Sequence, residues 1–189
     1  MRVDTLNHYG NPKFVFTVQT EHQEVKMCCC AADPFINDRS TNIVLVDSSR
    51  FEDLLFKVNC EKAPHLARGS KKDLFGDYKY QDANDCFNQP PDNPVPVANF
   101  YPSHEVRGWN GLVNTRGVGV DDLTRTVWLM ANGAKEFPVN VRDLQAAKEL
   151  CEYIGVKGSK VYSAKDLQER AKECGSGRWP YFNMYTAPK

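Results

Sequence analysis

The sequence predicts a mixed α+β domain in which a small mixed sheet is flanked by helices. Short segments with apolar residues at every second position, such as KFVFTVQ at 13–19, are typical of strands. They interleave with segments whose apolar residues recur every three or four positions, such as DLQAAKELCEYI at 143–154, which are typical of amphipathic helices. A length of 189 residues fits a single domain that buries a sizeable core.

The first half of the chain predicts three strands, at residues 13–19, 25–32 and 42–47. Ser49 and Glu52 have the spacing of a capping box, which predicts a helix that begins there and runs to about residue 59. Residues 60–94 are polar and rich in Asp, Asn, Gly and Pro. We expect this excursion to be a lid, a binding loop or a mobile insertion.

The second half predicts strands at 95–101, 107–114 and 137–141, a glycine-rich loop, a short helix after it, and helices at 143–154 and 163–174. Gly155 ends the first of these long helices, and Ser163 with Asp166 fits a capping box for the second. The aromatic, slightly basic tail either stacks on single-stranded nucleic acid or clamps onto the body. We therefore expect one domain over residues 1–189, with a core at about 42–155, an N-terminal strand extension and a C-terminal helix plus aromatic tail.

The cysteines favour a reduced, cytoplasmic protein without a zinc site. Their number is 7, no pair has C-x-x-C spacing, and the 4 histidines lie far apart in sequence. The run Cys28–Cys30 is expected in a buried strand.

A formal net charge of zero argues against indiscriminate nucleic-acid binding through bulk charge, but not against a local basic site. No apolar run has the length of a transmembrane helix, and the N-terminal residues lack the apolar core of a secretory signal.

Residues 117–141, GVGVDDLTRTVWLMANGAKEFPVNV, carry the strongest indication of chemistry. A glycine-rich loop leads into a helix whose first turn holds Thr124, Arg125 and Thr126. Exposed N–H groups at a helix start attract anions, and a guanidinium beside two hydroxyls predicts a cradle for a phosphate group. Arg116, in the loop before the helix, is a second candidate for phosphate contact.

Each of these residues also has a structural interpretation. Asp121 and Asp122 either coordinate Mg²⁺ through their oxygens or only complement the positive end of the helix dipole. Thr124 and Thr126 either contact phosphate or cap the helix. Arg125 is either a phosphate ligand or an ordinary surface arginine.

The order of elements and one motif resemble a known family. Strand, capped helix, strand, strand, anion loop, short helix and strand is the order of the ParB/sulfiredoxin superfamily, and it covers about residues 42–155. Within it, residues 123–138 (LTRTVWLMANGAKEFP) are similar to the signature of the plasmid fertility inhibition family. That signature is Gly-x-Thr-Arg-Thr-x-Trp-Leu followed by an Ala-x-Gly-Ala turn. The N-terminal forty residues and the tail lie outside the resemblance.

The resemblance assigns roles residue by residue. Arg125 matches the arginine that holds ATP phosphates in the sulfiredoxin loop, and Thr124 stands where sulfiredoxins have a histidine. Leu123 stands where they have the nucleophilic cysteine, so thiol-dependent reduction of a sulfinic acid is not expected. Asp122 replaces a glycine that is usual in the relatives. Arg50 matches a lysine that binds ATP at the start of the preceding helix.

The family resemblance implies an ATPase and Mg²⁺-dependent DNase that inhibits type IV secretion and conjugative DNA transfer. The residues implied are Arg125, Thr124, Asp121 and Asp122 for catalysis, Arg125, Thr124, Thr126, Arg116 and Arg50 for ATP, and Asp121 and Asp122 for Mg²⁺. The implied partners are DNA and a secretion component, either the coupling protein or the transferred nucleoprotein. The implied location is the bacterial cytoplasm or the cytoplasmic face of the inner membrane. The alternative is a non-enzymatic protein that sterically blocks a coupling component.

Overall fold

The computed structural model describes residues 1–8, 11–30, 41–57, 71–77, 79–90, 93–102, 118–173 and 182–183. Within these residues the chain forms two five-stranded sheets and six helices. The predicted α+β class is confirmed. The small mixed sheet expected from the sequence corresponds to the second sheet, and the N-terminal strands form a separate sheet that was not expected. The predicted strand at 107–114 lies outside the described residues.

Along the described part of the chain, four strands are followed by three helices and three strands, and from the fourth helix onward helices and strands alternate. The strands are β1 (Arg2–His8), β2 (Asn11–Gln19), β3 (Glu24–Cys30), β4 (Asn42–Asp47), β5 (Val95–Pro96), β6 (Ala98–Pro102), β7 (Val118–Asp121), β8 (Glu136–Val141), β9 (Tyr162–Ser163) and β10 (Phe182–Asn183). The helices are α1 (Ser48–Lys57), α2 (Lys71–Phe75), α3 (Tyr80–Phe87), α4 (Leu123–Ala131), α5 (Leu144–Ile154) and α6 (Ala164–Glu173).

The first sheet has the strand order β10-β1-β2-β3-β5. Strands β1, β2 and β3 run antiparallel, β5 lies parallel to β3, and β10 pairs with the outer edge of β1. Val3, Phe16 and Met27 stand opposite one another across the three long strands, and all three are fully buried. Cys28 and Cys29 are buried in β3, as the sequence predicted. The pairing of β10 docks this part of the tail on the body.

The second sheet has the strand order β7-β6-β8-β4-β9. Strands β6 and β8 are parallel, and the other neighbouring pairs are antiparallel. Phe51 of α1 makes edge-to-face contacts with Phe100 and Phe137, at centroid distances of 6.0 and 5.2 Å. All three rings are buried. This aromatic cluster fixes α1 on the sheet, since such pairs add to the free energy gained from burial.

Two of the predicted helix starts are confirmed by their caps. Asp143 accepts a hydrogen bond from the Ala146 N–H at 2.7 Å at the start of α5. At the start of α6, the Ser163 hydroxyl accepts from the Asp166 N–H at 3.1 Å, and the Asp166 carboxylate accepts from the Ser163 N–H at 2.9 Å. This reciprocal pair is the predicted capping box.

The predicted cap of α1 is wrong. The helix begins at Ser48, and Asp47 accepts from the Arg50 N–H at 3.1 Å and from the Ser49 hydroxyl at 2.7 Å. Burial alone would raise the pKa of the Asp47 carboxyl, but these hydrogen bonds lower it overall. The ionised carboxylate therefore stabilises the helix start, and its contribution declines as pH falls through the folded-state pKa. Asp47, at the end of β4, accepts these hydrogen bonds and so takes the capping role that the sequence assigned to Ser49 with Glu52.

Part of the predicted excursion is helical and packs against α4. Trp128 stacks on Phe87 of α3 with a centroid distance of 4.3 Å. Its indole N–H donates to the Asn84 side-chain oxygen at 3.1 Å. The contact buries Trp128 almost completely. The excursion therefore contributes directly to the packing of the helix that carries the candidate site.

An asparagine network crosses the second sheet. The buried Asn42 amide donates to the carbonyls of Val141 and Arg142, at 3.0 and 3.1 Å. Asn140 accepts from the Asn42 N–H at 3.0 Å and donates to Asn99 at 2.8 Å. These bonds connect β4, β8 and β6 through side chains as well as through the backbone ladder.

Replacing Asn42 with Ala is expected to lower the free energy of unfolding by about 2 kcal/mol, because two carbonyls lose their donor at a buried position. Urea denaturation followed by circular dichroism measures this loss. Gln145→Ala is the matched control, since its amide donates to Glu149 on the exposed side of α5. Equal stability of the two variants would contradict the proposed importance of the network.

Candidate functional site

The candidate site lies where β7 ends and α4 begins. Asp121 is the last residue of β7 and stands opposite Asn99 of β6. Asp122 follows with φ 62° and ψ 34°, in the left-handed region, and α4 starts at Leu123. Glycine adopts this conformation without strain, and aspartate is among the residues that tolerate it best. The predicted glycine-rich loop is therefore a strand followed by a sharp turn over residues 118–122.

Arg125 is fixed on one side of this turn. Its Nη1 lies 2.8 Å from an Asp122 carboxylate oxygen and donates to the Pro96 carbonyl at 3.0 Å. The Arg125 N–H also donates to the Asp122 carbonyl at 2.9 Å. Only 22% of the Arg125 side chain is exposed. The guanidinium is thus positioned by two neighbours and is not an ordinary mobile surface arginine.

The structure describes the side chain of Asp122 but only the backbone of Asp121, which is the last residue of β7. The Asp122 carboxylate makes no cap hydrogen bond with α4 and pairs with Arg125 instead. Across the described ranges, no group of three or more His, Cys, Asp and Glu side chains could hold a metal ion. Mg²⁺ commonly uses one or two carboxylates plus phosphate oxygens, and its binding by Asp121 and Asp122 stays a prediction.

The side chains of Thr124 and Thr126 lie in different environments. Thr126 is fully buried, and its hydroxyl donates to the Leu123 carbonyl at 2.7 Å. This geometry does not support the predicted phosphate contact of Thr126, because the hydroxyl is used inside the core. Thr124 is half-exposed and lies at the helix start beside Arg125. Leu123 is buried, so the position that the resemblance aligned with a nucleophilic cysteine holds a buried apolar side chain.

The other predicted phosphate ligands do not join this cluster. Arg50 lies just beyond the end of β4 and donates to the Gly155 carbonyl at 3.4 Å. Strands β4 and β7 are three strand spacings apart, or about 14 Å. Arg116 lies outside the described residues. The structure thus brings together Asp122, Thr124 and Arg125, and it places Arg50 across the sheet.

Two residues that neighbour the site in the fold could not be assigned to it from the sequence. The Pro96 carbonyl positions Arg125 from 29 residues away along the chain. Cys28 stands opposite Pro96 in the register of β3 and β5, and its thiol donates to the Pro94 carbonyl at 3.3 Å. Cys28 is buried, so the structure gives this thiol a packing role.

In the described part of the chain, two grooves away from this turn have volumes of about 390 and 560 Å³. The first is lined by the edge of β3 and the end of α3, and the second by β2 and the turn before β8.

Within the described residues, no helix combines the length and the apolar character needed to cross a lipid bilayer.

Comparison with known proteins agrees with the motif. The family described as plasmid fertility inhibition factor matches residues 43–155, which include α1, α4 and the turn between β7 and α4. The protein osa of Shigella flexneri is 35% identical over 86 residues, which are 46% of this chain and 42% of that protein. The match therefore spans less than half of this relative's length.

The fold is also similar to a solved structure. The crystal structure of the oncogenic suppression activity protein, a plasmid fertility inhibition factor, in a gold(I) cyanide derivative matches with a TM-score of 0.65. The match covers 85% of this chain and 78% of that chain, at 25% sequence identity. The two proteins thus share most of their architecture.

Replacing Thr126 with Val is expected to lower the free energy of unfolding by about 1–2 kcal/mol, because the buried Leu123 carbonyl loses its hydroxyl donor. Phosphate binding should stay unchanged in the folded variant. Chemical denaturation and a phosphate titration measure the two effects. Thr124→Val is the control and should change stability by less than about 0.5 kcal/mol. Loss of phosphate binding in folded Thr126→Val would contradict the structural role given to this hydroxyl.

Proposed function

This chain belongs to the plasmid fertility inhibition factor family, and we propose that it inhibits conjugative DNA transfer through a phosphate-processing site at the turn between β7 and α4. The observation that carries the proposal is Arg125, which is held at the start of α4 within the family-matched residues. A guanidinium beside the N-terminus of a helix is well suited to phosphate oxygens.

ATP is the proposed ligand of this site. In the described part of the chain, the contacts of the Arg125 guanidinium run through Nη1, and we propose its Nε and Nη2 as the donors to the ligand. The first turn of α4 adds backbone N–H groups, and Thr124 adds a hydroxyl at the surface. These donors would stabilise negative charge that develops on a phosphoryl group during hydrolysis. Arg50 is too distant in the sheet to share the same phosphate and would contact another part of the ligand.

Mg²⁺ is the proposed cofactor, with Asp121 and Asp122 as its protein ligands. The two carboxylates would hold the ion beside the phosphate, where its positive charge would withdraw electron density from the bond that breaks. The Asp122 carboxylate has one oxygen on Arg125 and a second oxygen that can turn toward a metal. The same arrangement is suited to a phosphodiester of DNA, because the reacting group is again a phosphate. DNase activity is therefore proposed as a second activity of the site.

The biological role follows from the family and not from the site. We propose that the chain acts in the bacterial cytoplasm or at the cytoplasmic face of the inner membrane. Its proposed partners are DNA and a type IV secretion component, either the coupling protein or the transferred nucleoprotein. The hydrolytic site would then act on the nucleotide or on the DNA that transfer requires.

Arg125→Ala is expected to weaken ATP binding by about 1.5–3 kcal/mol, the range for hydrogen bonds to charged groups. ATPase and DNase turnover should fall with it. Calorimetry with a non-hydrolysable ATP analogue measures the affinity, and highly purified protein is required for the nuclease assay. Arg142→Ala is the matched control, because Arg142 is exposed just after β8, and β8 is separated from β7 by β6. Unchanged affinity in a folded Arg125→Ala variant would remove the basis for this site.

Hydrolysis is expected to require Mg²⁺ or Mn²⁺ and to stop in EDTA, because the acidic residues at the turn are oxygen ligands. Replacing both Asp121 and Asp122 with Asn should lower turnover more than it lowers the thermal midpoint of unfolding. Turnover per folded molecule is measured across a metal titration. Full activity in chelator would show that the two acids serve only the structure of the turn.

A steric inhibitor without hydrolysis is the second candidate function. The pairing of Arg125 with Asp122 favours it, because the positive charge is already neutralised by a neighbour. The two candidates differ in a conjugation assay. Loss of ATPase activity in Arg125→Ala with full inhibition of transfer would support the steric mechanism, and joint loss of both would support the enzymatic one.

A further inference from the structure

We infer that Asp122 is a built-in competitor for the anion at Arg125, and that it favours a terminal phosphoryl group, as in ATP, over anions with a single charge. The inference rests on the proposed function, since it concerns the same turn. It adds a specificity-determining residue to the site and ranks a DNA phosphodiester, which carries one charge, below the terminal phosphate of ATP as a ligand.

The competing contact is short and well placed. A carboxylate oxygen of Asp122 lies 2.8 Å from Nη1 of Arg125, and the same nitrogen donates to the Pro96 carbonyl at 3.0 Å. The protein's own carboxylate thus fills one of the positions that an external anion would take. Because the pair is formally neutral, a second anion that approaches Arg125 also meets a negative charge on Asp122.

The backbone explains why this carboxylate lies on Arg125 and not on the helix. Asp122 has φ 62°, and its side chain makes no cap hydrogen bond with the first turn of α4. An N-terminal aspartate in the usual extended conformation accepts from N–H groups of that turn, as Asp143 does at α5. The left-handed turn therefore redirects the carboxylate to the guanidinium. Because the Arg125 N–H donates to the Asp122 carbonyl, the Leu123 and Thr124 N–H groups are the ones proposed to meet a ligand.

The balance of charge determines which ligand displaces Asp122. A carboxylate or a chloride ion carries one negative charge and offers Arg125 no more than Asp122 already does. A phosphoryl group carries close to two charges and several acceptor oxygens, and it can engage the guanidinium and the helix N–H groups together. The displaced Asp122 side chain is 44% exposed, so water can solvate it after displacement.

The test is a titration without metal, in EDTA, with pyrophosphate as the multiply charged phosphoryl probe and acetate as the singly charged probe. NMR of uniformly ¹⁵N-labelled protein reports binding at the Arg125 side chain and at the first turn of α4. The variants are Asp122→Asn, Asp122→Gly and Arg125→Ala. Asn preserves size and tolerates the left-handed region, and Gly removes the side chain without backbone strain. Glu169→Gln is the matched control, because its exposed carboxylate pairs with Lys165 on α6, outside the candidate site.

Both Asp122 variants are expected to bind pyrophosphate about two- to fivefold more tightly than the wild type, the factor for a partly exposed ion pair. Their preference for pyrophosphate over acetate should decrease, and Glu169→Gln should behave like the wild type. Unchanged or weaker pyrophosphate binding by both Asp122 variants, with binding still lost in Arg125→Ala, would overturn the inference and leave the proposed function intact. Binding that Arg125→Ala does not change would instead remove the proposed site itself.

Discussion

The connection from β5 to β6 joins the two sheets, and the geometry of the candidate site depends on how this connection is held. Residues 95–96 pair with β3 in the first sheet, and residues 98–102 pair with β7 and β8 in the second. Between them, the Val97 N–H donates to the Cys28 carbonyl at 2.9 Å. The Pro96 carbonyl accepts from Arg125. Since both sheets fix this segment, both also fix the guanidinium.

Arg125 therefore has a structural role as well as its proposed chemical role. Its contacts with Pro96 and Asp122 hold the start of α4 against the edge of the first sheet. A ligand that engages the other guanidinium nitrogens would meet a side chain already oriented by the fold. Such preorganisation lowers the entropy lost on binding, since one long side chain is ordered beforehand.

The family match and the structural match cover different parts of the molecule. The family-matched residues 43–155 hold most of the second sheet and the turn, whereas β1, β2 and β3 precede them. The structural match covers 85% of the chain, which exceeds that range. The first sheet is thus partly shared in structure with the oncogenic suppression activity protein. Its contact with the site through Pro96 gives a physical reason to treat the two sheets as one working unit.

The sequence by itself determined the elements that depend on local patterns. Alternation identified β2, a short apolar run identified β4, the amphipathic period identified α5, and a capping box identified the start of α6. The Thr-Arg-Thr motif identified the helix start that holds Arg125. Tertiary structure decided the rest. Strand β1 is largely polar and extended because it pairs with β2, and residues 118–121 form a strand because they pair with β6. Thr126 is buried because it lies one helical turn from Leu123 on the core side. The Pro96 carbonyl and the pairing of Asp122 with Arg125 come from a distant chain segment and from one left-handed residue, and neither leaves a periodic signal in the sequence.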